Sequence, residues 1–353
     1  MAYTLTDDPG AHMNTGLYTG TGSSNAVTGL GFQPDMTWIK IRNTTGDHQV
    51  YDSLRGVTVV VYPNQNVVEA TVAETLMSFD SDGFTLGTSS TINSSTGWLY
   101  VGWCWKGGTT TGIDTTGSTI TPSSYTFNQD TGISMIKYTG NNTSGALLPH
   151  GLGAVPQFAL FKVLDAVDDW SVYHQAMGNT KYMELNTAQA EITSTDRWND
   201  TSPNSVNFTL GNSGGTNAAK DYVAYCFAPK QGFSQFGSYT GNLASGLPPS
   251  TTGPFIFCGF RPAWVLCKIT AISAWTVFDN TRQPYNTSGQ TDIYSIPNTT
   301  AEEYANLGID FLSNGFRFRD SDSEWNASGS NYIYAAFAEN PFVNSSGVPV
   351  NAR

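Results

Sequence analysis

The amino-acid sequence predicts an all-β chain of three tandem antiparallel β-sandwich domains, jelly-roll or lectin-like in type. Three observations predict it: one unit recurs three times, turn signals punctuate each unit, and the composition disfavours helices. Of 353 residues only 12% are charged while 13% are aromatic, and the charged share is roughly half the globular norm. The polarity comes from Thr, Ser, Asn and 36 glycines, residues that suit strands and turns.

The repeats are read first, because a missed repeat misassigns the fold. Tyr-Thr-Gly opens each unit, at Tyr18-Thr19-Gly20, Tyr138-Thr139-Gly140 and Tyr239-Thr240-Gly241. A Gly/Pro turn follows, then an apolar strand ending in Lys40, Lys162 or Lys268. In the third unit that turn is Gly259-Phe260-Arg261-Pro262. Next comes a short aromatic strand: Val50-Tyr51-Asp52, Val172-Tyr173-His174 and Val277-Phe278-Asp279. An Asn-to-Glu stretch follows, from Asn64 to Glu69, Asn186 to Glu191 and Asn298 to Glu302. A hairpin signal comes next, clearest at Asp82-Gly83, where Gly supplies the positive φ of a tight turn. Each unit closes on an apolar strand, as at Tyr100–Trp105, Tyr222–Phe227 and Tyr332–Phe337.

A unit of about 90 to 100 residues is too long for a solenoid repeat and right for an all-β domain. The resulting division is an N-terminal arm (1–16), repeat 1 (17–106), a Gly/Thr/Ser-rich linker (107–131), repeat 2 (132–229), repeat 3 (230–342) and a C-terminal tail (343–353). The Lys-ending and closing strands are apolar on both faces, which calls for a covering layer beyond the sandwich partner. Trp38, Leu160 and Trp264 on the former and Trp103 and Tyr225 on the latter are therefore the candidate repeat or subunit interface.

Several functions are disfavoured. With 28 acids against 16 bases, the net charge of -12 gives phosphate little to bind. The start of the chain has neither the basic nor the apolar region of a signal peptide, and no apolar run reaches membrane-spanning length. The four cysteines show no CxxC spacing; Cys104 and Cys226 read as buried small hydrophobes, and Cys258 and Cys267 flank the Gly-Phe-Arg-Pro turn where a bridge is conceivable. The four histidines are scattered without metal-ligand spacing. Asp80-Ser81-Asp82 and Asp320-Ser321-Asp322 hint at calcium, but the first lacks the downstream Glu of a calcium loop. Neither a metal nor a cofactor is expected.

Two constellations carry chemistry. Asp52 with Glu69, and Asp279 with Glu302, are the acid pairs that glycoside hydrolysis would need; His174 breaks the pattern in repeat 2. His48, Trp170 and Trp275 precede the aromatic strands among polar neighbours. An indole there can stack on the C–H face of a sugar. Together with Asp52, His174 and Asp279 they form the candidate ligand-binding set, against the alternative that they close the ends of the cores.

The residues also carry a resemblance. The opening Tyr3–Pro9 with Asp7-Asp8-Pro9, the unit Tyr18-Thr19-Gly20, Gly31-Phe32-Gln33-Pro34-Asp35, Trp38-Ile39-Lys40, Tyr51-Asp52-Ser53-Leu54-Arg55-Gly56 and Ser81-Asp82-Gly83-Phe84, and the ending Tyr332–Phe342 resemble virion repeat proteins of marine bacteriophages, cyanophages among them. Repeat 2 departs with His174-Gln175, and repeat 3 keeps Arg282 without the following Gly. The resemblance implies a non-enzymatic virion surface protein, made in the host cytoplasm. The expected type is a tail fibre or receptor-binding appendage. Head decoration or a tail-attached part is the alternative, and a polysaccharide depolymerase a further one. The implied partners are capsid or tail proteins, further copies of the chain (a trimer among the options) and a host-surface glycan, with no nucleic acid and no membrane insertion.

Overall fold

Four strands recur in every repeat and lie side by side in one order: opening, closing, Lys-ending, aromatic. In repeat 1 these are Met13–Thr19, Leu99–Trp105, Met36–Ile41 and Gln49–Asp52. In repeat 2 they are Ile133–Thr139, Asp221–Phe227, Phe158–Val163 and Ser171–His174. In repeat 3 they are Ser234–Thr240, Asn331–Pro341, Phe260–Ile269 and Trp275–Asp279. All neighbouring pairs are antiparallel. The computed structural model describes residues 3–242, 253–286, 292–306, 308–320 and 322–350, an all-β chain in several antiparallel sheets.

A smaller sheet accompanies each main sheet. It comprises Asn25–Thr28, Gly83–Leu86 and Leu76–Asp80 in repeat 1, Ala146–Pro149 with Asn207–Leu210 in repeat 2, and Phe255–Phe257, Gly315–Phe318 and Ile309–Leu312 in repeat 3. Alternation along a strand sends successive side chains to opposite faces. In repeat 1, Ile39, Ile41, Tyr100 and Cys104 face the small sheet and cluster with Val27, Phe84 and Leu86. Repeats 2 and 3 build the same kind of cluster, around Phe161 with Phe208 and around Val265 with Phe316.

The other face of all three main sheets enters a single cluster. Met36, Trp38, Trp103 and Trp105 of repeat 1 meet Phe158, Leu160, Tyr225 and Phe227 of repeat 2 and Trp264, Leu266, Ala335 and Phe337 of repeat 3. Edge-to-face rings cross the repeat boundaries: Trp105 to Trp264 at 5.4 Å and Phe227 to Phe337 at 5.5 Å. The five residues expected at an interface, Trp38, Leu160, Trp264, Trp103 and Tyr225, all lie in this shared cluster. The second apolar face is thus covered by neighbouring repeats of the same chain.

The structure moves several sequence-based boundaries. The opening strand of repeat 1 begins at Met13, inside the expected arm, and Tyr-Thr-Gly ends that strand. The second half of the expected linker contains the strand Pro122–Asn128, which pairs with Ile133–Thr139; Ser123 is exposed, Ser124 half-buried and Thr126 buried. Gly259-Phe260-Arg261-Pro262 is not a full turn. Phe260 already begins the Lys-ending strand, and two register shifts around Pro262 absorb the missing amide proton. Cys258 and Cys267 are free, buried thiols.

The Asp82-Gly83 turn shows why Gly is required. Gly83 has φ +150°, and a Cβ there would stand 1.9 Å from the Val27 carbonyl oxygen. Asp82 fixes the turn by accepting from the amides of Gly29 and Gly31 at 3.0 and 2.6 Å. Replacing Gly83 with alanine is expected to destabilise the fold by about 2–4 kcal/mol, since both backbone conformation and space oppose it. A urea midpoint indistinguishable from wild type would contradict this.

Candidate functional site

The six candidate ligand-binding residues, His48, Asp52, Trp170, His174, Trp275 and Asp279, are all buried, with at most 1% of their surface exposed. They stand at joints between repeats, and this corrects their expected position on ligand-facing loops. Two of the acids that made them look loop-borne instead anchor asparagines, Asp47 accepting from Asn64 and Asp169 from Asn186.

Two kinds of joint recur cyclically. In the first, the Trp170 indole N–H donates to the Tyr62 carbonyl of repeat 1 at 2.9 Å, and Trp275 donates to the Glu184 carbonyl of repeat 2 at 2.8 Å. His48 completes the circle, with Nε2 3.2 Å from the Ile296 carbonyl of repeat 3. Its Nδ1 accepts from the Trp38 indole, so Nε2 carries the ring proton. Asn64, Asn186 and Asn298 each accept from the backbone amide of the ring residue in their own repeat. Backbone bonds seal the same joints, from Glu69 to Leu164, Glu191 to Thr270 and Glu303 to Arg42. The Asn-to-Glu stretch is therefore a clasp that reaches the neighbouring repeat.

That pairing also corrects an equivalence. Glu303, not Glu302, corresponds to Glu69, because it makes the equivalent clasp bond and its carboxylate lies 3.5 Å from Arg282 Nη1. Two adjacent glutamates make the alignment ambiguous in sequence.

The second kind of joint is ionic in two places and neutral in one. Asp52 accepts from Arg55 Nε at 2.6 Å and from the Tyr225 hydroxyl of repeat 2 at 2.6 Å. Asp279 accepts from Arg282 Nε at 2.5 Å and from the Trp103 indole of repeat 1 at 3.0 Å. The Arg282 guanidinium also stacks over the Trp103 ring at 5.2 Å. Between repeats 2 and 3 every member changes together: His174 replaces Asp, Met177 replaces Arg and Ala335 replaces the aromatic donor. His174 accepts from the Ala176 amide at Nδ1 and places Nε2–H 3.0 Å from the Tyr334 carbonyl.

The supposed acid pairs are thereby explained. Arg55 contacts both Asp52 and Glu69, at 2.6 and 3.7 Å, and Arg282 contacts both Asp279 and Glu303. An arginine pinned between two carboxylates occupies the place where a glycosidic oxygen would need to sit.

Three lysines end the inner faces of the Lys-ending strands, and all are buried. Lys40 donates to the Thr300 carbonyl, Lys162 to those of Asn66 and Asp168, and Lys268 to those of Ile269 and Ala271. Burial pushes each ammonium down to about 8. Each buried ammonium is thus satisfied by backbone carbonyls at the same strand position in every repeat.

Trp275 carries a stability prediction. Its alanine variant loses a buried indole and leaves the Glu184 carbonyl unpaired, at an expected cost of about 3–5 kcal/mol. A melting temperature unchanged in Trp275→Ala would contradict the joint role.

One joint is not filled. The position taken by Met135 in repeat 2 and Phe236 in repeat 3 is Thr15 in repeat 1, by the strand register against Tyr225, Ala335 and Trp103. Across the joint, Thr281 occupies the place of Leu54. A cavity of about 300 Å³ opens there, lined by Asn14 and Thr15 from repeat 1 and by Arg261, Asn280, Thr281 and Glu339 from repeat 3. Nothing in the sequence read alone marked it, because its signal is the contrast between equivalent positions of different repeats.

No curated protein and no solved structure matches the chain. One family model matches residues 8–341, a span that takes in all three repeats, and it is described as a domain of unknown function. The chain therefore belongs to the DUF7483 family.

Proposed function

We propose that the chain is a non-catalytic structural and binding protein of a bacteriophage particle. In this reading it is displayed at the virion surface as a tail fibre or receptor-binding appendage, each repeat a β-sandwich of jelly-roll or lectin-like type. The carrying observation is the use of the reactive side chains. The acids, histidines and indoles that suggested chemistry are consumed in joints between repeats, as expected of a rigid body that presents loops. The phage resemblance of the repeat motifs supports the particle, and the hydroxyl- and amide-rich surface suits contact with glycans in salt, which weakens hydrogen bonds little.

A second reading, head decoration or tail attachment, is favoured by the strand Phe255–Phe257. It lies at the edge of its sheet with Phe255 and Phe257 42% and 61% exposed. Such an edge pairs readily with another chain, whether a capsid or tail protein or a further copy. Locating the chain on intact particles by cryo-electron microscopy tests both readings. Density at the tail periphery supports the fibre, density on the head lattice supports decoration, and a particle lacking the chain overturns the proposal. Release of reducing sugar from host polysaccharide would overturn the non-catalytic part.

A further inference from the structure

We propose that the unfilled joint between repeats 3 and 1 is a binding site for one ring of a neutral sugar. The inference rests on the glycan-binding reading above and supplies it with a site.

The cavity exists because two large apolar residues are absent. Repeat 2 uses Met135 and Leu54 of repeat 1 to close the equivalent joint, whereas Thr15 and Thr281 leave this one open. A volume of about 300 Å³ is at the small end of the range of ligand sites, enough for one pyranose with its hydroxyls.

The lining fixes the ligand chemistry. Arg261 is spent on Glu339 and on the Phe311 carbonyl, so the two charges at the wall neutralise one another. Asn280 Nδ2 also donates to Glu339 Oε2, at 2.8 Å. Among the described residues, no protein group claims Glu339 Oε1, Asn280 Oδ1 or the hydroxyls of Thr15 and Thr281. Carboxylate and amide oxygens only accept, so the ligand must donate hydrogens, and the threonines donate or accept as needed. A set of neighbouring hydroxyls meets that requirement. An anionic sugar does not, because the cation is already paired and acceptor oxygens offer an anion no hydrogen. Met13, Ala263 and Pro284 give the C–H face of a ring an apolar contact.

The test uses the full chain with methyl glycosides of glucose, galactose and mannose, read by saturation-transfer NMR. At about 10 mM a site with Kd near 1 mM is mostly occupied. At least one glycoside is expected to receive saturation, with shifts at the Met13, Thr15 and Thr281 methyls. The filled variant Thr15→Met/Thr281→Leu borrows the residues of the neighbouring joint and is expected to abolish the transfer while melting no lower than wild type. Thr15→Val keeps the shape without the hydroxyl, and is expected to weaken binding about 3- to 10-fold. Silence from all three glycosides overturns the proposal. So does transfer undiminished in both variants, or transfer to glycerol equal to that of the sugars. Virion location is independent of these readouts: filled chain found at its usual place on the particle, with wild type silent toward glycosides, removes the site and leaves the structural reading intact.

Discussion

Replacing Asp52 with alanine is expected to destabilise the protein by about 3–5 kcal/mol, because it strips a fully buried arginine of its principal counter-ion. Asp52 and Arg55 both have side chains with no exposed surface, and Glu69, at 3.7 Å, is the remaining anion beside the guanidinium. The same change leaves the Tyr225 hydroxyl and the amides of Leu54 and Arg55 without their acceptor. Removing both charges is a different experiment. Asp52→Asn with Arg55→Met leaves no buried ion, and the joint between repeats 2 and 3 already shows a neutral solution with His174 and Met177. The double variant is expected to be more stable than Asp52→Ala alone, although it carries two changes. Urea denaturation of the three proteins decides the matter. A loss below about 1 kcal/mol in the single variant, a value typical of solvent-exposed pairs, would show the ion pair to be worth little.

Acidification is expected to have an effect at least as large. Burial lowers the basicity of His48, His150 and His174, and pushes the latter two down to about 4. Each is held with Nδ1 accepting and Nε2 facing a carbonyl, an arrangement that needs the neutral ring. In the unfolded chain histidine titrates near 6.5. Between about 6.5 and 4 the unfolded state therefore binds protons that the folded state refuses, so stability falls as pH falls. The slope is about 1.4 kcal/mol per pH unit for each histidine, or about 3 kcal/mol each for His150 and His174 by pH 4. Asp35, Glu184 and Glu324, whose carboxyls burial pushes up, oppose the loss at the acid end of that window. Urea midpoints measured at several pH values should fall steadily below neutrality. His12, also lowered by burial, adds to the slope, and His174→Gln should remove one histidine's share of it. A midpoint constant from pH 7 to pH 5 would rule the account out.

Much of the fold was legible because alternation is a strict physical code. Met36 and Trp38 oppose Ile39 and Ile41 in the sequence and enter different clusters in the structure. The need for a second cover over these strands followed from the same pattern. The joints were not legible, for a reason visible at Trp170. An indole flanked by Asp168, Asp169 and Ser171 has the same local sequence whether its N–H meets a sugar or the carbonyl of Tyr62. Choosing between them requires knowing what lies more than a hundred residues away. The strand Pro122–Asn128 was hidden for another reason: Ser and Thr serve an edge strand as readily as a linker. The seam cavity needed both kinds of knowledge, the register that equates Thr15 with Met135 and the neighbour that faces it.

The cyclic clasps have a consequence for synthesis. Gly46 bonds to Thr300 and Trp103 to Asp279, so the first repeat contacts residues made some 180 to 250 positions later. While the third repeat is still untranslated, Trp38, Trp103 and Trp105 have only part of their cover. Contacts of such separation form late and slowly. The nascent chain thus carries an indole-rich face exposed through most of its translation, and a stalled or truncated product would be a substrate for chaperones or proteases rather than a shorter working protein.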